Sequence, residues 1–298
     1  MVLEVNDTPA LGQHLPPLSD PSRPVGEAIV DLLFPRPQTG RIPVVAVAGG
    51  RRAGSVSDRR PVTRLVTHIL RGTGWRVGMA SADGLYLDGR RVRAGDGTGL
   101  RGAWAVLRNP TMEAAVLETS WGAILREGLG FDHCDVAVVT DTGEGDHLGP
   151  QALEAPTGLA GARRVLVEAV APQGAAVLKA DDPLVETLAA HCPGSVVLFA
   201  RDPDHPVLAA HREASGRAVF ARHDELVLAE GPREVVLVRL VGVPLGVSAT
   251  GGCGGHTSSE LENALAAVAA TWVLGCPLQA IRAGLETFAA DIVPGRAM

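Results

Sequence analysis

The chain has 298 residues, of which 46% are hydrophobic, 20% charged and only 3% aromatic. That apolar mass excludes a disordered or collagen-like chain, and the length predicts two domains or one large one. A net charge of -6 with so few aromatic rings argues against binding duplex DNA or stacking single strands.

Residues 1–40 are mixed. Val2–Val5 has the pattern of a short strand, and Pro9, Pro16, Pro17, Pro21 and Pro24 then interrupt the chain as in a loop or linker. Val25–Phe34 places Val25, Ala28, Ile29, Leu32 and Leu33 on one helical face, stopped by Pro35. Residues 43–49 (PVVAVAG) are a continuous apolar run of the kind buried on both faces of a parallel sheet. An arginine-rich loop over 50–60 and a helix over Val62–Leu70 follow; strand, loop and helix open an α/β unit.

Trp75–Ala80 reads as a strand and Gly84–Val92 as a hairpin turning at Asp88-Gly89. Residues 95–102 read as a glycine-rich loop, Pro110–Ala114 as the start of a helix-like segment, and Ala115–Thr119 and Val136–Thr140 as strands. A helix over Leu159–Val170, a strand over Gly174–Leu178, a helix over Leu184–His191 and a strand over Ser195–Phe199 come next. Val/Leu runs at 218–220, 226–228 and 235–239 predict smaller edge strands, and helices over 260–274 and about 277–289 close the chain. This alternation predicts an α/β fold, a mostly parallel sheet with helices on both faces. Ligands of such sheets sit beyond the carboxyl ends of the strands, where strand order reverses. The candidate loops are therefore 49–61, 81–101, 119–130 and 140–150.

The first of these loops stands where a phosphate loop belongs. Gly49, Gly50, Arg51, Arg52, Gly54, Ser55 and Ser57 supply glycine, cations and hydroxyls, without the lysine or the spacing of GxxxxGK[ST]. Anion binding and an ordinary solvated loop are both open readings. Glu118 ends one apolar strand and His147 lies seven residues beyond Thr140 at the end of another. Together they can hold one hard cation; the alternative is a helix cap at Asp146 and a surface imidazole. Asp181-Asp182-Pro183 can receive hydroxyl or amine groups at a ligand edge, or cap the helix from Leu184. His133 and Cys134 are adjacent, which does not give a nucleophile pair its geometry, and no GxSxG elbow is present. Cys134, Cys192, Cys253 and Cys276 form no CxxC pair and read as buried thiols of a reducing compartment. With no signal-peptide pattern and no long apolar span, the expected location is the cytoplasm, away from membranes.

Read together, several segments resemble the Mur ligase family, and within it the central domain of the cyanophycin synthetases. They are RIPVVAVAG (41–49), DGLYLDG (83–89), Gly95-Asp96 with Thr98-Gly99, LETSWGAILREGLGFDHCDVAVVTD (117–141), GEGDHLG (143–149), VLKADDP (177–183) and ENALAA (262–267). The resemblance implies a P-loop-NTPase-like central domain over 41–298. Residues 1–40 would be the end of an ATP-grasp domain plus linker, and the C-terminal ligase domain would be absent. It implies ATP-dependent amide formation through an acyl phosphate, with ATP and Mg2+ as cofactors. Glu118 and His147 would be magnesium ligands, Asp182 would lie near nucleotide or substrate, Asn263 would approach the adenine, and Arg126 would face an anionic substrate. A separate ATP-grasp or ligase-domain protein is the partner it implies.

The sequence departs from that family at several points. GGRRAGSVSDRRPVT replaces the lysine-bearing GTNGKTT loop, and Lys179, the sole lysine of the chain, replaces an asparagine. Arg163 stands where many relatives carry a carbamylated lysine, and Ser120-Trp121-Gly122 replaces an arginine–glycine–glycine stretch. GGHTSSELENA replaces RHNVENA and keeps Glu262 and Asn263. These departures imply a nucleotide- or anion-binding module with impaired or no ligase activity. An active ligase with an arginine-rich phosphate loop, and a non-catalytic scaffold or relic, are the alternatives.

Overall fold

A computed structural model describes residues 25–33, 40–49, 59–141, 156–245 and 257–288. The expected strand at Val2–Val5, residues Gly50 to Asp58, Asp146, His147 and Cys253 lie outside them. The chain divides into two units, Met1–Ile42 and Pro43–Met298. In the first, helix α1 spans Val25–Leu33, as its apolar spacing predicts, with Ile29, Val30, Leu32 and Leu33 exposed.

The second unit is built on a single sheet. Its strands are β1 (Val44–Ala48), β2 (Val77–Ser81), β3 (Gly84–Leu87), β4 (Arg90–Ala94), β5 (Ala114–Thr119), β6 (Cys134–Val139), β7 (Val170–Lys179), β8 (Ser195–Ala200), β9 (Arg217–Arg222), β10 (Glu225–Glu230) and β11 (Arg233–Arg239). The order across the sheet is β11-β10-β9-β8-β7-β6-β1-β5-β2-β3-β4. The stretch from β9 to β2 is parallel throughout. Antiparallel strands extend it at both ends, β10 and β11 on one side and β3 and β4 on the other. The β3–β4 turn is the one the Asp-Gly pair predicts, with both Asp88 (φ 47°) and Gly89 (φ 78°) left-handed. β4 is the outermost strand on its side; all five residues are exposed, and its register against β3 slips between Leu85 and Tyr86.

Helices cover both faces. On one lie α2 (Arg59–Gly72), α8 (Ser258–Val273) and α9 (Leu278–Thr287). They pack on alternate strand residues, among them Val45, Val47, Val116, Val138, Val177 and Phe199. Residues 263–271 of α8 are all buried. Five of them are alanines, which lets the helix lie close against both the sheet and α2. Its start is fixed by a capping box: the Glu260 amide donates to Thr257 Oγ1 at 3.3 Å, and the Thr257 amide to Glu260 Oε2 at 2.8 Å. Such a box contributes about 1 kcal/mol. On the opposite face lie α3 (Leu100–Leu107), α4 (Trp121–Glu127), α5 (Pro156–Glu168), α6 (Val185–Ala189) and α7 (Pro206–Glu213).

Three sequence expectations need correction. The glycine loop ends at Gly99, and α3 begins at Leu100. Pro110–Ala114 does not start a helix. Asn109 Oδ1 accepts from the Thr111 amide at 3.0 Å and from its hydroxyl at 2.7 Å, an Asx turn that feeds β5 instead. The short helices α4 and α7 carry too few turns for periodicity to reveal them. Their signals are local: Ser120 Oγ caps α4 by accepting from the Ala123 amide at 3.0 Å, and Pro206 occupies the first position of α7.

The glycine loop is folded tightly onto the sheet. The Gly97 amide donates to Ser81 O at 2.8 Å, and a Cβ on Gly102 would collide with the Gly97 carbonyl. Gly102→Ala is therefore expected to destabilise the protein by about 1–3 kcal/mol through overpacking against backbone. A urea-denaturation midpoint unchanged from wild type would contradict this.

Candidate functional site

Strand order reverses at β1. From β1 the chain passes to β2 on one side, returns through β5, and crosses to β6 on the other. The crevice beyond Ala48 and Val139 is thus the place such folds reserve for ligands. The Thr140 amide donates to Ala48 O at 2.9 Å and holds the two strand ends together. Gly49 continues β1 and is buried. The other phosphate-loop candidates, Gly50, Arg51, Arg52, Gly54, Ser55 and Ser57, lie outside the described residues, as does His147.

Glu118 is only 2% exposed, on the face of β5 that carries Val116 and points toward α2. Its Oε2 accepts from Ser81 Oγ at 2.7 Å and from the Ala82 amide at 3.2 Å. Ser81 Oγ also lies 2.9 Å from Asp83 Oδ1, so one hydroxyl proton stands between two carboxylates. Asp83 has strong partners of its own: the Arg64 guanidinium pairs with it, and the Tyr86 hydroxyl donates to it at 3.1 Å. Burial pushes the Asp83 carboxyl up, but Arg64, Ser81 and Tyr86 outweigh it and hold the group below the ordinary carboxylate range. On the other face of the same strand end, Thr119 Oγ1 and Trp121 Nε1 are buried with no hydrogen-bond partner.

A second polar group lies farther along the same edge, where β7 and β8 end beneath the start of α8. Lys179 Nζ is 3.0 Å from Glu262 Oε2 and 3.4 Å from Asp181 Oδ1. Arg201 Nε is 2.8 Å from Glu262 Oε1, and its Nη1 donates to Ser258 Oγ at 2.9 Å. Both oxygens of Glu262 are therefore engaged by cations from two strands. Burial opposes the Lys179 charge, yet Glu262 and Asp181 raise its ammonium above the ordinary lysine range. Asn263, one residue on, is 8% exposed. The space it shares with Thr140, Phe199, Ser259 and Glu262 is about 10 Å³, room for a single water. A larger cavity of about 310 Å³ lies beside it, lined by Asp181, Ala200, Arg201, Asp202 and His205.

The candidates thus separate. Glu118 stands at the strand-order reversal and Asn263 on α8. Asp182 Oδ1 accepts from the Leu184 amide at 2.9 Å, which shapes the turn before α6. Arg126 is exposed in the last turn of α4. Ser81, Phe199 and Arg201 join these places without having been singled out in the sequence; their signal is position, each lying at or next to the carboxyl end of a parallel strand. No described group of three or more His, Cys, Asp and Glu side chains could hold a metal. A single buried carboxylate still fits Mg2+, which takes one or two carboxylates and fills its shell with water and phosphate.

No protein-family model matches the chain. Cyanophycin synthetase of Synechocystis sp. is 37% identical over 298 residues, covering 99% of this chain and 33% of that protein. The UDP-N-acetylmuramoylalanine–D-glutamate ligase of Symbiobacterium thermophilum is 29% identical over 282 residues, 94% of this chain and 52% of the other. The chain spans about a third of the length of the cyanophycin synthetases it matches. Among solved structures, a UDP-N-acetylmuramoyl-L-alanyl-D-glutamate–2,6-diaminopimelate ligase superposes with a TM-score of 0.60 at 16% identity, over 88% of this chain and 49% of that one. Escherichia coli FolC in complex with DHPP and ADP gives 0.51 at 15% identity, over 83% and 57%. These structural likenesses show the fold.

Because the folded Asp83 carboxyl sits below its ordinary value, its stabilisation is complete above that value and is lost as the pH falls through the folded one. Asp83→Asn is expected to cost about 1–2 kcal/mol at neutral pH, and the gap to wild type should close as the pH drops below 3.8. Urea melts at neutral and acid pH check this; a gap that is constant with pH would exclude the ionised pair as its source.

Proposed function

We propose a function on the premise that the chain is a Mur-ligase-like relative of cyanophycin synthetase: it is an ATP-binding module of the carboxylate–amine ligase type, with ligase activity of its own impaired or absent. The observation that carries the reading is Glu118. A buried carboxylate at the strand-order reversal of a parallel sheet is costly to retain, and a cation bound there with a nucleotide's phosphates would use it. Magnesium, when bound, would neutralise phosphate charge. Ser81 and the Ala82 amide hold the Glu118 carboxylate in place, and Thr140 keeps the β1 and β6 ends together below the phosphates.

The impairment follows from the loop after β1. Residues 49–61 contain Arg51, Arg52, Arg59 and Arg60 and no lysine. These cations can attract phosphate, but in-line phosphoryl transfer needs fixed geometry as well as charge. Losing one preorganised donor costs about 2.7–4 kcal/mol in the transition state, or about 10²–10³ in rate. Among the described residues no helix is long and apolar enough to cross a membrane, and Cys134, Cys192 and Cys276 are unpaired thiols. Both fit a cytoplasmic location.

Isothermal titration of ATP with and without Mg2+ tests the reading. Magnesium-dependent binding is expected, and Glu118→Ala should weaken it at least tenfold while leaving magnesium-free binding near wild type. Phosphate release should remain at background. Absence of binding at millimolar ATP by the folded protein would sink the nucleotide reading, and rapid magnesium-dependent turnover would sink the claim of impairment.

A further inference from the structure

We propose that β4 is the docking edge for an acidic, extended segment of another protein, which adds as a further strand with its carboxylates against Arg90 and Arg93. β4 is four strands from β1, across β5, β2 and β3. Four spacings amount to about 19 Å, so this surface stands apart from the crevice beyond β1 and does not depend on the nucleotide reading.

The register gathers the arginines. A Cβ on Gly102 of α3 would lie 3.2 Å from Ala80 Cβ, so Ala80 points toward α3. Leu85 is paired with Ala80, and Arg93 with Leu85. Residues directly opposite one another share a face of the sheet, so Arg93 stands on the α3 side. Arg90, opposite Leu87, stands there too. Helix α3 covers β2, β3 and β5 on this face. It exposes Arg101, Trp104 and Arg108, spaced three and four residues apart along one ridge. The Arg108 guanidinium lies over the Trp104 ring, 4.6 Å from its centroid.

This corner is positive in a chain whose net charge is -6. The acids around it already have partners. Asp88 pairs with Arg71 at 3.2 Å and Glu113 with Arg76 at 3.2 Å. Asp96 Oδ1 accepts from the Thr98 amide at 2.9 Å and from its hydroxyl at 2.7 Å. Among the described residues Arg90, Arg93, Arg101 and Arg108 make no ion pair. Carboxylates from outside are the groups this surface lacks.

The backbone decides what carries those carboxylates. No described strand lies beyond β4, so its outer amides and carbonyls are open to a strand added from another chain. A peptide can use that row, whereas a nucleic acid can use only the charge. Val92 is 48% exposed and Trp104 41%, which sets apolar contact area among the arginines. Tryptophan and arginine are the residue types that most often carry binding energy at interfaces.

The test uses dye-labelled peptides and fluorescence anisotropy with the full chain at low salt. The probe is (Glu-Thr)4, which as a strand puts every carboxylate on one face. It should bind saturably at sub-millimolar protein, and added salt should weaken it. A (Glu-Pro)4 peptide has the same charge without the row of backbone donors, and should bind at least tenfold more weakly. The double variant Arg90→Glu with Arg93→Glu should weaken (Glu-Thr)4 at least tenfold, with a thermal midpoint near wild type. Arg101→Glu with Arg108→Glu, on α3, is an independent variant and should weaken it at least threefold. Absence of (Glu-Thr)4 binding, or binding untouched by both double variants, overturns the proposal. Equal binding of (Glu-Pro)4 overturns it too, because attraction would then be charge without strand addition. An oligothymidylate of equal charge that binds as tightly as (Glu-Thr)4 would mark a general polyanion surface and overturn it likewise.

Discussion

The structure depends on a parallel sheet that is dry on both faces. All five residues of β1 are buried, as are those of β2 and β5. A strand covered by helices on each side cannot carry a polar side chain along its length without leaving it unpaired. The sheet therefore drives its polar groups to the strand ends. Ser81, Glu118, Thr119 and Thr140 are all buried there, each within one residue of the end of its strand. The site is in this sense a by-product of the core, because the ends are the only places where backbone amides and loops can satisfy a carboxylate.

The second group of charges has a different origin. Helix α8 is alanine-rich and buried over residues 263–271, so its position is set by close packing more than by shape. Small residues give such a helix freedom to slide, and Glu262 at its first turn opposes this. One carboxylate ties the helix to Lys179 at the end of β7 and to Arg201 just after β8. These pairs are partly buried, so they cost desolvation and return it as registration. That geometry leaves the space at Asn263 closed and the neighbouring cavity open.

Much of this was legible in the sequence. The continuous apolar runs at 43–49 and 136–140 fixed the parallel core, and the Asp88-Gly89 pair fixed the hairpin, because those signals are local and strong. Helix α8 began at Ser258 instead of 260, although the capping pair Thr257 and Glu260 marked the start. Glu118 could be found from its place at a strand end. What could not be read was side-to-side position: that Ser81 would meet Glu118, or Arg201 meet Glu262, depends on strand order, which no local pattern contains. Asp182 stood out as part of an acidic pair before a predicted helix and Asn263 by resemblance, and the structure gives the first a turn to shape before that helix and the second little room.

The outer strand β4 settles how the sheet meets the rest of the world. Arg90, Arg91 and Arg93 stand exposed on one of the two edges of the sheet, the other being β11. The slipped register beside Tyr86 sends Arg91 and Arg93 to opposite faces. A second copy offering the same edge would bring arginines against arginines on both sides of the seam. Self-templated growth of the sheet into a fibre is thus blocked at this border, by repulsion built into the very strand that would have to serve as the template.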